Sequence, residues 1–137
     1  HEIALTRDYG DDIPFLSCSS QEMEQLIVNL LSNARYSVEA MKNKMGKNYK
    51  MQITIRLKYL SSEKQILIEV GDNGVGMSKE VQERCMDPFF TTKPVGEGTG
   101  LGLSIILGIV KGVDGTFLIE SEVNKGAVFR VFLPCAS

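Results

Sequence analysis

Four alternating glycines stand directly before an apolar segment, in the run Gly96-Glu97-Gly98-Thr99-Gly100-Leu101-Gly102-Leu103. If the apolar segment is a helix, its first amides lack intrahelical acceptors and its dipole favours an anion, such as a diphosphate or triphosphate. The run is not a P-loop, because no Gly-Lys-Ser/Thr follows, and no parallel βαβ unit supports a dinucleotide fingerprint. A flexible linker is the alternative, but it explains Gly102 and Gly108 poorly, since glycine inside a helix costs about 1 kcal/mol.

An acidic residue, Asp72, opens the segment Asp72-Asn73-Gly74-Val75-Gly76-Met77 directly after a predicted strand. A carboxylate at a strand end can accept a hydrogen bond from an exocyclic amine, such as the 6-amino group of adenine. Glycines at 74 and 76 let the backbone turn sharply and allow a flat ring to lie close. Taken alone, the segment is better explained as an ordinary Asp-Asn-Gly turn.

Two asparagines, Asn29 and Asn33, are spaced i,i+4 and therefore share one face of a predicted helix, beside its apolar stripe. Amide oxygens can bind Mg²⁺ together with phosphate oxygens and water. Solvated or capping asparagines explain the pair as well when it is taken alone.

The segment Asp87-Pro88-Phe89-Phe90-Thr91-Thr92-Lys93 opens a long loop, 87–100, of the kind that often acts as a lid. Its two aromatic residues can anchor the loop, and Lys93 can reach a terminal phosphate. A hydrophobic anchor followed by a surface lysine is the simpler interpretation of this segment by itself.

The elements that must position these residues follow from periodicity and turn residues. The helix that carries the asparagines has Ser19 and Glu22 at capping-box spacing and ends near Gly46. Residues 51–60 alternate as a half-buried antiparallel strand, and Ser78 can cap a short helix that runs to about Cys85. The helix 101–111 is apolar almost all round and is expected to be buried. The remaining predictions are strands at 2–9, 66–70, 116–121 and 127–133, and a possible short strand at 15–18.

These elements predict an α/β fold, a two-layer sandwich in which a mixed, mostly antiparallel sheet of about five strands packs on three helices. The length of 137 residues suits a single domain.

A net charge of -2 shows no basic excess, so no nucleic-acid partner is expected. Three widely spaced cysteines argue against disulfides or a zinc site and suit a reducing compartment. The longest apolar run, 101–110, is too short to span a bilayer, so we expect a soluble, cytoplasmic chain, although a longer parent protein could be membrane-anchored.

In this order, the motifs resemble those of the catalytic ATP-binding domain of sensor histidine kinases, within the fold family of Hsp90, DNA gyrase B and MutL (the Bergerat fold). Residues 29–34 look like the N box, 72–77 like the G1 box and 96–103 like the G2 box. Residues 87–93 look like the F box in the form seen in nitrogen-regulator-type kinases. Gly126-Ala127-Val128-Phe129 with Leu133-Pro134 looks like the last glycine motif. The resemblance covers nearly the whole chain.

The resemblance implies a role for each matching residue. Asp72 would bind the adenine amino group, Asn33 and Asn29 would hold Mg²⁺, and 88–100 would form an ATP lid. Asn29, Asn33 and Lys93 would be the catalytic residues, with Lys93 and Arg84 neutralising the phosphates. The residues expected to contact the nucleotide are Asp72, Gly74, Gly76, Met77, Arg84, Thr92, Gly98, Thr99, Gly100, Leu101, Gly102 and Leu103.

The activity implied is transfer of the γ-phosphoryl group of Mg-ATP to a histidine on a separate dimerisation domain, as part of a two-component system with a downstream response regulator. His1 is the only histidine and stands at the terminus, so we do not expect it to be the acceptor. Residues 1–137 are therefore expected to be one catalytic domain cut from a longer kinase, monomeric and inactive without the acceptor domain.

Two other functions stay open. Hydrolases of this fold family place a glutamate, the general base, where this chain has Asn29, and an amide cannot take a proton at neutral pH. A regulatory nucleotide-binding module without kinase activity is favoured only by Ala127, which stands where the family usually has a threonine whose hydroxyl supports water around adenine. A second departure, Val113-Asp114 in place of a frequent His-Gly pair, is expected to affect a turn more than the chemistry.

Overall fold

The computed structural model describes residues 3–10, 20–84 and 101–135, with residues 20, 101 and 102 described by their backbone alone. The described elements, in chain order, are β1 (Ala4–Tyr9), α1 (Ser20–Met45), β2 (Gln52–Leu60), β3 (Gln65–Asp72), α2 (Lys79–Arg84), α3 (Leu101–Gly112), β4 (Thr116–Glu122) and β5 (Gly126–Pro134). The predicted strand at 15–18, the cap Ser19, and the loop 87–100 lie outside the described residues.

The strands form one sheet in the order β1-β2-β3-β5-β4. Strand β1 pairs with β2 in parallel, because α1 carries the chain back between them, and the other three pairings are antiparallel. The expectation that the chain has no parallel βαβ unit was therefore wrong, although the glycine-rich run 96–103 is not part of this unit. The sheet packs one face against α1 and α3, which also contact each other. The predicted two-layer α/β sandwich with a mixed, mostly antiparallel sheet is confirmed, and β3 is its central strand.

Helix α1 forms because its apolar residues recur every three or four positions and so fall on one side. That side is buried through Leu26, Leu30, Ala34, Val38 and Met41. The helix ends as predicted at Gly46, which has a positive φ of 87° and donates its N–H to the Lys42 carbonyl at 2.9 Å.

The core lies between α1 and the inner face of the sheet. Strands β3 and β5 contribute most of the sheet's share of this core, with Ile66, Ile68, Val70, Phe129, Val131 and Leu133 all buried. Helix α3 is less buried than its composition predicts. Within its described part only Ile106 and Val110 are fully buried, because the helix contacts α1 and the sheet along one side.

Several smaller predictions concern boundaries. Pro134 belongs to β5, opposite Gln65, rather than lying beyond the strand. Ser78 caps α2 as predicted, since its Oγ accepts the Val81 N–H at 3.2 Å.

Cys135 is a free, half-buried thiol, while Cys18 and Cys85 lie outside the described residues. Within the described ranges, no helix has both the length and the apolar character that crossing a membrane requires.

The outer face of the sheet carries a row of alternating charges that crosses all five described strands. Glu69 on the central strand accepts hydrogen bonds from Arg56 at 3.0 Å and from Arg130 at 2.8 Å. Each arginine reaches a further carboxylate, Arg56 at 3.4 Å from Asp8 and Arg130 at 3.3 Å from Glu120. The hydrogen bond that Arg130 donates to Glu69 is the main cause that raises the pKa of Arg130.

Replacing the central charge should therefore cost more than replacing a charge in an exposed pair. Glu69 is only 14% exposed, and Glu69→Gln leaves two guanidinium groups facing each other across the sheet. We expect a loss of about 1–2 kcal/mol in the free energy of unfolding, measured by urea denaturation and smaller at high salt. The matched control is Glu39→Gln in the exposed Arg35–Glu39 pair, with an expected loss below about 0.5 kcal/mol. Equal losses would contradict this account.

Candidate functional site

The Asp72 carboxylate lies at the last residue of the central strand, half-buried between the sheet and α1. Its Oδ1 accepts two hydrogen bonds, from the Ser37 hydroxyl at 2.9 Å and from the Gly74 N–H at 2.8 Å. The Ala127 N–H, on the neighbouring strand, also donates to this carboxyl group. Burial raises the pKa of Asp72, and these three hydrogen bonds oppose that rise.

The segment after Asp72, residues 73–77, is held from both sides of the sandwich. From α1, the Ser37 carbonyl accepts the Val75 N–H at 3.2 Å. From the β4–β5 turn, Asn124 donates its N–H to the Val75 carbonyl at 2.7 Å. The Ser121 hydroxyl accepts the Met77 N–H at 2.8 Å. The loop is therefore a fixed link between the helix layer and the end of the sheet.

The glycines of this loop allow close backbone contacts inside the protein. A Cβ at Gly74 would overlap Ser37, both its hydroxyl and its backbone. Gly76 has a φ of 66°, and a Cβ there would overlap the Glu122 carbonyl. We predicted that these glycines allow a sharp turn and the approach of a flat ring. The turn is present, and the close approach that the structure shows is that of the protein's own backbone.

Asn73 joins the loop to the start of β2. Its side chain accepts the Gln52 N–H at 2.9 Å and donates to the Lys50 carbonyl at 2.7 Å. The Tyr49 hydroxyl lies 2.6 Å from the Asn73 carbonyl and 2.7 Å from its Oδ1, to which it donates. Burial, and then the charge of Asp72, raise the pKa of Tyr49. The end of β3 next to Asp72 is therefore also held by residues at the start of β2.

Asn29 and Asn33 share one face of α1 with Ser37, because the three residues are spaced four apart. A rise of 1.5 Å per residue places them roughly 12 and 6 Å along the helix axis from Ser37, which contacts Asp72. The Nδ2 atoms of both asparagines are buried and have no hydrogen-bond partner in the described structure. Such orphaned donors are rare in folded proteins and call for an explanation.

The asparagine pair therefore fits a metal–phosphate group by its chemistry. An amide can present its oxygen to a hard cation or its N–H to a phosphate oxygen, and which atom faces outward is a matter of assignment. A phosphate oxygen would satisfy the Nδ2 donors that have no partner among the described residues. The structure thus places Asn29, Asn33 and Ser37 on one face of α1, and Ser37 links this face to Asp72.

The other predicted residues are placed only in part. The backbone of α3 begins at Leu101, so the amides of Leu101, Gly102 and Leu103 form the first turn as predicted. Arg84 ends α2 with its guanidinium 3.9 Å from the Glu80 carboxylate, and its role at phosphates stays a prediction. Thr92, Lys93, Gly98, Thr99 and Gly100 lie outside the described residues.

Sequence reasoning missed four side chains at this site. Ser37 had an available signal, since it repeats the i,i+4 spacing of Asn29 and Asn33. Tyr49, Ser121 and Gln82 had none, because they meet the loop only through the tertiary fold. The Gln82 amide donates to the carbonyls of Met77 and Ser121, each at 3.0 Å, and so holds α2 against the loop.

The fold and the site define a class: a two-layer α/β domain with a half-buried acidic residue at the end of its central strand and two amide side chains on the helix that packs there. The family model for "Histidine kinase-, DNA gyrase B-, and HSP90-like ATPase" matches residues 18–137. The chain therefore belongs to this ATPase family, as the motifs predicted.

Similar curated proteins are sensor kinases. Sensor kinase CckA of Brucella abortus is 38% identical over 137 residues, which cover 97% of this chain and 14% of that protein. Sporulation kinase E of Bacillus subtilis is 36% identical over 132 residues, which cover 96% of this chain and 16% of that protein. The chain thus spans about a sixth or less of the length of these two relatives.

Solved structures agree with the fold. The catalytic domain of histidine kinase ThkA, in a nucleotide-free form, matches with a TM-score of 0.75 and 28% identity, over 96% of this chain and 80% of that domain. Full-length ShkA in complex with AMPPNP matches with a TM-score of 0.78 and 21% identity, over 98% of this chain and 26% of that one. The subgroup suggested by residues 87–93 stays a prediction.

The third glycine of the site gives a test of its backbone packing. Gly126 has a φ of 101°, and a Cβ there would overlap the Asp72 carbonyl. We expect Gly126→Ala to lower the free energy of unfolding by about 2 kcal/mol or more. The matched control is Gly108→Ala in α3, where a Cβ meets nothing among the described residues and should stabilise by about 0.5–1 kcal/mol. Urea denaturation of both variants measures the contrast, and a tolerated alanine at 126 would contradict it.

A second test uses the raised pKa of Asp72. A carboxyl group with a higher pKa in the folded than in the unfolded state lowers stability when ionised, and this cost disappears as the pH falls through the folded-state pKa. Asp72→Asn has no such titration. The stability of the variant minus that of the wild type should therefore decrease on acidification, from neutral pH towards the ordinary aspartate range. Denaturation at a series of pH values measures this difference, and a difference that rises on acidification would refute the assignment.

Proposed function

We propose that this domain binds Mg-ATP and supplies its γ-phosphoryl group to a histidine on a separate domain, as the catalytic part of a sensor histidine kinase. The observation that carries the proposal is a row of three polar side chains along α1. Ser37 contacts the Asp72 carboxylate, and the orphaned amides of Asn33 and Asn29 follow at one-turn intervals. This row offers an acceptor for a base at one end and amides for a metal–phosphate group at the other.

The base end of the site is the Asp72 carboxylate. Oδ1 is already occupied by two donors of the protein, so the carboxylate is held in one orientation. An ionised carboxylate accepts hydrogen bonds only, and the 6-amino group of adenine is a donor. Adenine recognition by Asp72 is supported by this geometry, with Gly74, Gly76 and Met77 forming the adjoining loop.

The phosphate end of the site lies further along α1. Asn33, with Asn29, would hold Mg²⁺ through amide oxygens, while phosphates and water complete the coordination. When bound, the ion would neutralise negative charge on the phosphates during transfer. The residue types fit this role, and the Nδ2 atoms, which have no partner among the described residues, can donate to phosphate oxygens beside the ion.

The first turn of α3 offers free amides and a favourable dipole for phosphate oxygens, through Leu101, Gly102 and Leu103. Gly98, Thr99, Gly100, Thr92 and Lys93, in the proposed lid, and Arg84 would complete the phosphate contacts. Asn29, Asn33 and Lys93 are the residues that we propose to act in catalysis.

Transfer is favoured over hydrolysis by the chemistry of Asn29. A general base for water must accept a proton, and a neutral amide does not do so at pH 7. An imidazole acceptor is already a competent nucleophile, so positioning and charge neutralisation can suffice. Matches to named sensor kinases support the same choice. The acceptor domain, a downstream response regulator and cytoplasmic location belong to this proposal.

The first experiment is calorimetric titration of ADP into the chain, with and without Mg²⁺. We expect Mg-dependent binding in the wild type. Asp72→Asn should weaken it at least tenfold, since a hydrogen bond to a charged group contributes about 1.5–3 kcal/mol. Asn33→Ala should remove most of the dependence on Mg²⁺. The matched control is Asn48→Ala, an exposed turn residue, which should bind as the wild type does.

Two outcomes would count against the proposal. A folded wild-type chain that does not bind ADP would contradict the kinase proposal and leave a degenerate module of this family as the better account. Sustained ATP turnover by this chain alone, lost in Asn29→Ala, would instead favour the hydrolase.

A further inference from the structure

Ser37 contacts the site through two separate groups, and a part in selecting the nucleotide goes beyond what the proposed function assigns to it. Its hydroxyl lies 2.9 Å from Asp72 Oδ1 and donates to it, and its carbonyl accepts the Val75 N–H at 3.2 Å. The backbone of Ser37 is thus fixed independently of its side chain. Removing the hydroxyl would change the contact to Asp72 and leave the link between α1 and the loop in place.

The hydroxyl has only one proton, and this proton is given to Asp72. Towards a ligand or a bridging water, Ser37 Oγ can therefore act only as an acceptor. The neighbouring carboxylate is an acceptor as well. Two adjacent acceptors favour a group that donates, such as an amino group, and disfavour a carbonyl oxygen, which would face them without a proton.

We propose that Ser37 is a specificity-determining residue of this site, whose hydroxyl orients the Asp72 carboxylate and, with it, selects a purine that carries an amino group over one that carries a carbonyl. The inference rests on the proposed nucleotide binding and adds the residue that sets its selectivity.

On the other side of the Asp72 carboxylate, the neighbouring strand offers no hydroxyl. Ala127 stands directly across from Asp72 in the β3–β5 register, and its N–H donates to the carboxyl group. Its side chain is buried, 6% exposed, and ends at a methyl group. Directly opposed residues have Cβ atoms about 4.5–5.5 Å apart, so a hydroxyl at 127 would also reach the carboxylate. In this chain, the helix supplies the hydroxyl and the strand does not.

The test compares ADP with inosine 5′-diphosphate, whose base has a carbonyl in place of the amino group and a proton on the adjacent N1. The measured quantity is the dissociation constant of inosine diphosphate divided by that of ADP, each determined by calorimetry or by competition. We expect Ser37→Ala to weaken ADP about tenfold and leave inosine diphosphate nearly unchanged, so that the ratio falls about tenfold. A merely structural defect would weaken both nucleotides alike and leave the ratio as it is. Ser62→Ala, the same substitution in the exposed β2–β3 turn, should keep the wild-type ratio.

Moving the hydroxyl across the carboxylate sharpens the test. The double variant Ser37→Ala with Ala127→Ser should recover most of the lost ratio, because the new hydroxyl reaches the same group from β5. If Ser37→Ala does not fold, Ser37→Cys replaces it, since a thiol of similar shape is a weak donor and should also lower the ratio.

The outcomes separate the two proposals. A wild-type chain that does not bind ADP overturns both. A wild type that prefers ADP, together with an unchanged ratio in Ser37→Ala, overturns the role of Ser37 alone. A double variant that stays as unselective as the single one places the effect in the helix and not in donation to Asp72, and this also overturns the inference.

Discussion

The burial of one carboxylate is the constraint on which this site depends. Asp72 ends the central strand and is half-buried, which raises its pKa because burial disfavours the charged form. The domain opposes that cost with three donors, from Ser37 on α1, Gly74 in the loop and Ala127 on β5. Each donor comes from a different element, so the charged group can persist only where helix, loop and sheet meet.

That meeting point requires unusually close backbone approach. Side chains at Gly74, Gly76 or Gly126 would overlap Ser37, Glu122 or Asp72, respectively. With glycine at all three positions, the loop contacts α1 through Val75 and the β4–β5 turn through Asn124. A rigid connection follows, in which the face of α1 that carries Ser37, Asn33 and Asn29 is fixed relative to the carboxylate.

Much of this arrangement could be predicted from the sequence. The period of α1, the alternation of β2 and the cap at Ser78 are local patterns, and each appears where the pattern placed it. Asp72 at a strand end and the asparagines on one helix face also follow from spacing alone. The contacts of Tyr49 with Asn73 and of Ser121 with Met77 could not be foreseen, because they join segments far apart in the chain. Helix α3 was expected to be more deeply buried, since its composition does not tell how many neighbours it has.

Polar groups that stability alone does not explain lie on one face of α1 and at the adjoining end of β3, and this is the strongest argument for function. A stable core alone does not require a half-buried carboxylate at this place, and it disfavours two buried amide donors without partners, since each such donor costs about 1–3 kcal/mol. On the opposite face of the sheet, the same kinds of group are fully paired, as Glu69 is with Arg56 and Arg130. The sequence can therefore satisfy its polar groups where only stability is at stake. Along Ser37, Asn33 and Asn29 it leaves capacity for hydrogen bonds unused, which is expected where a ligand completes the structure.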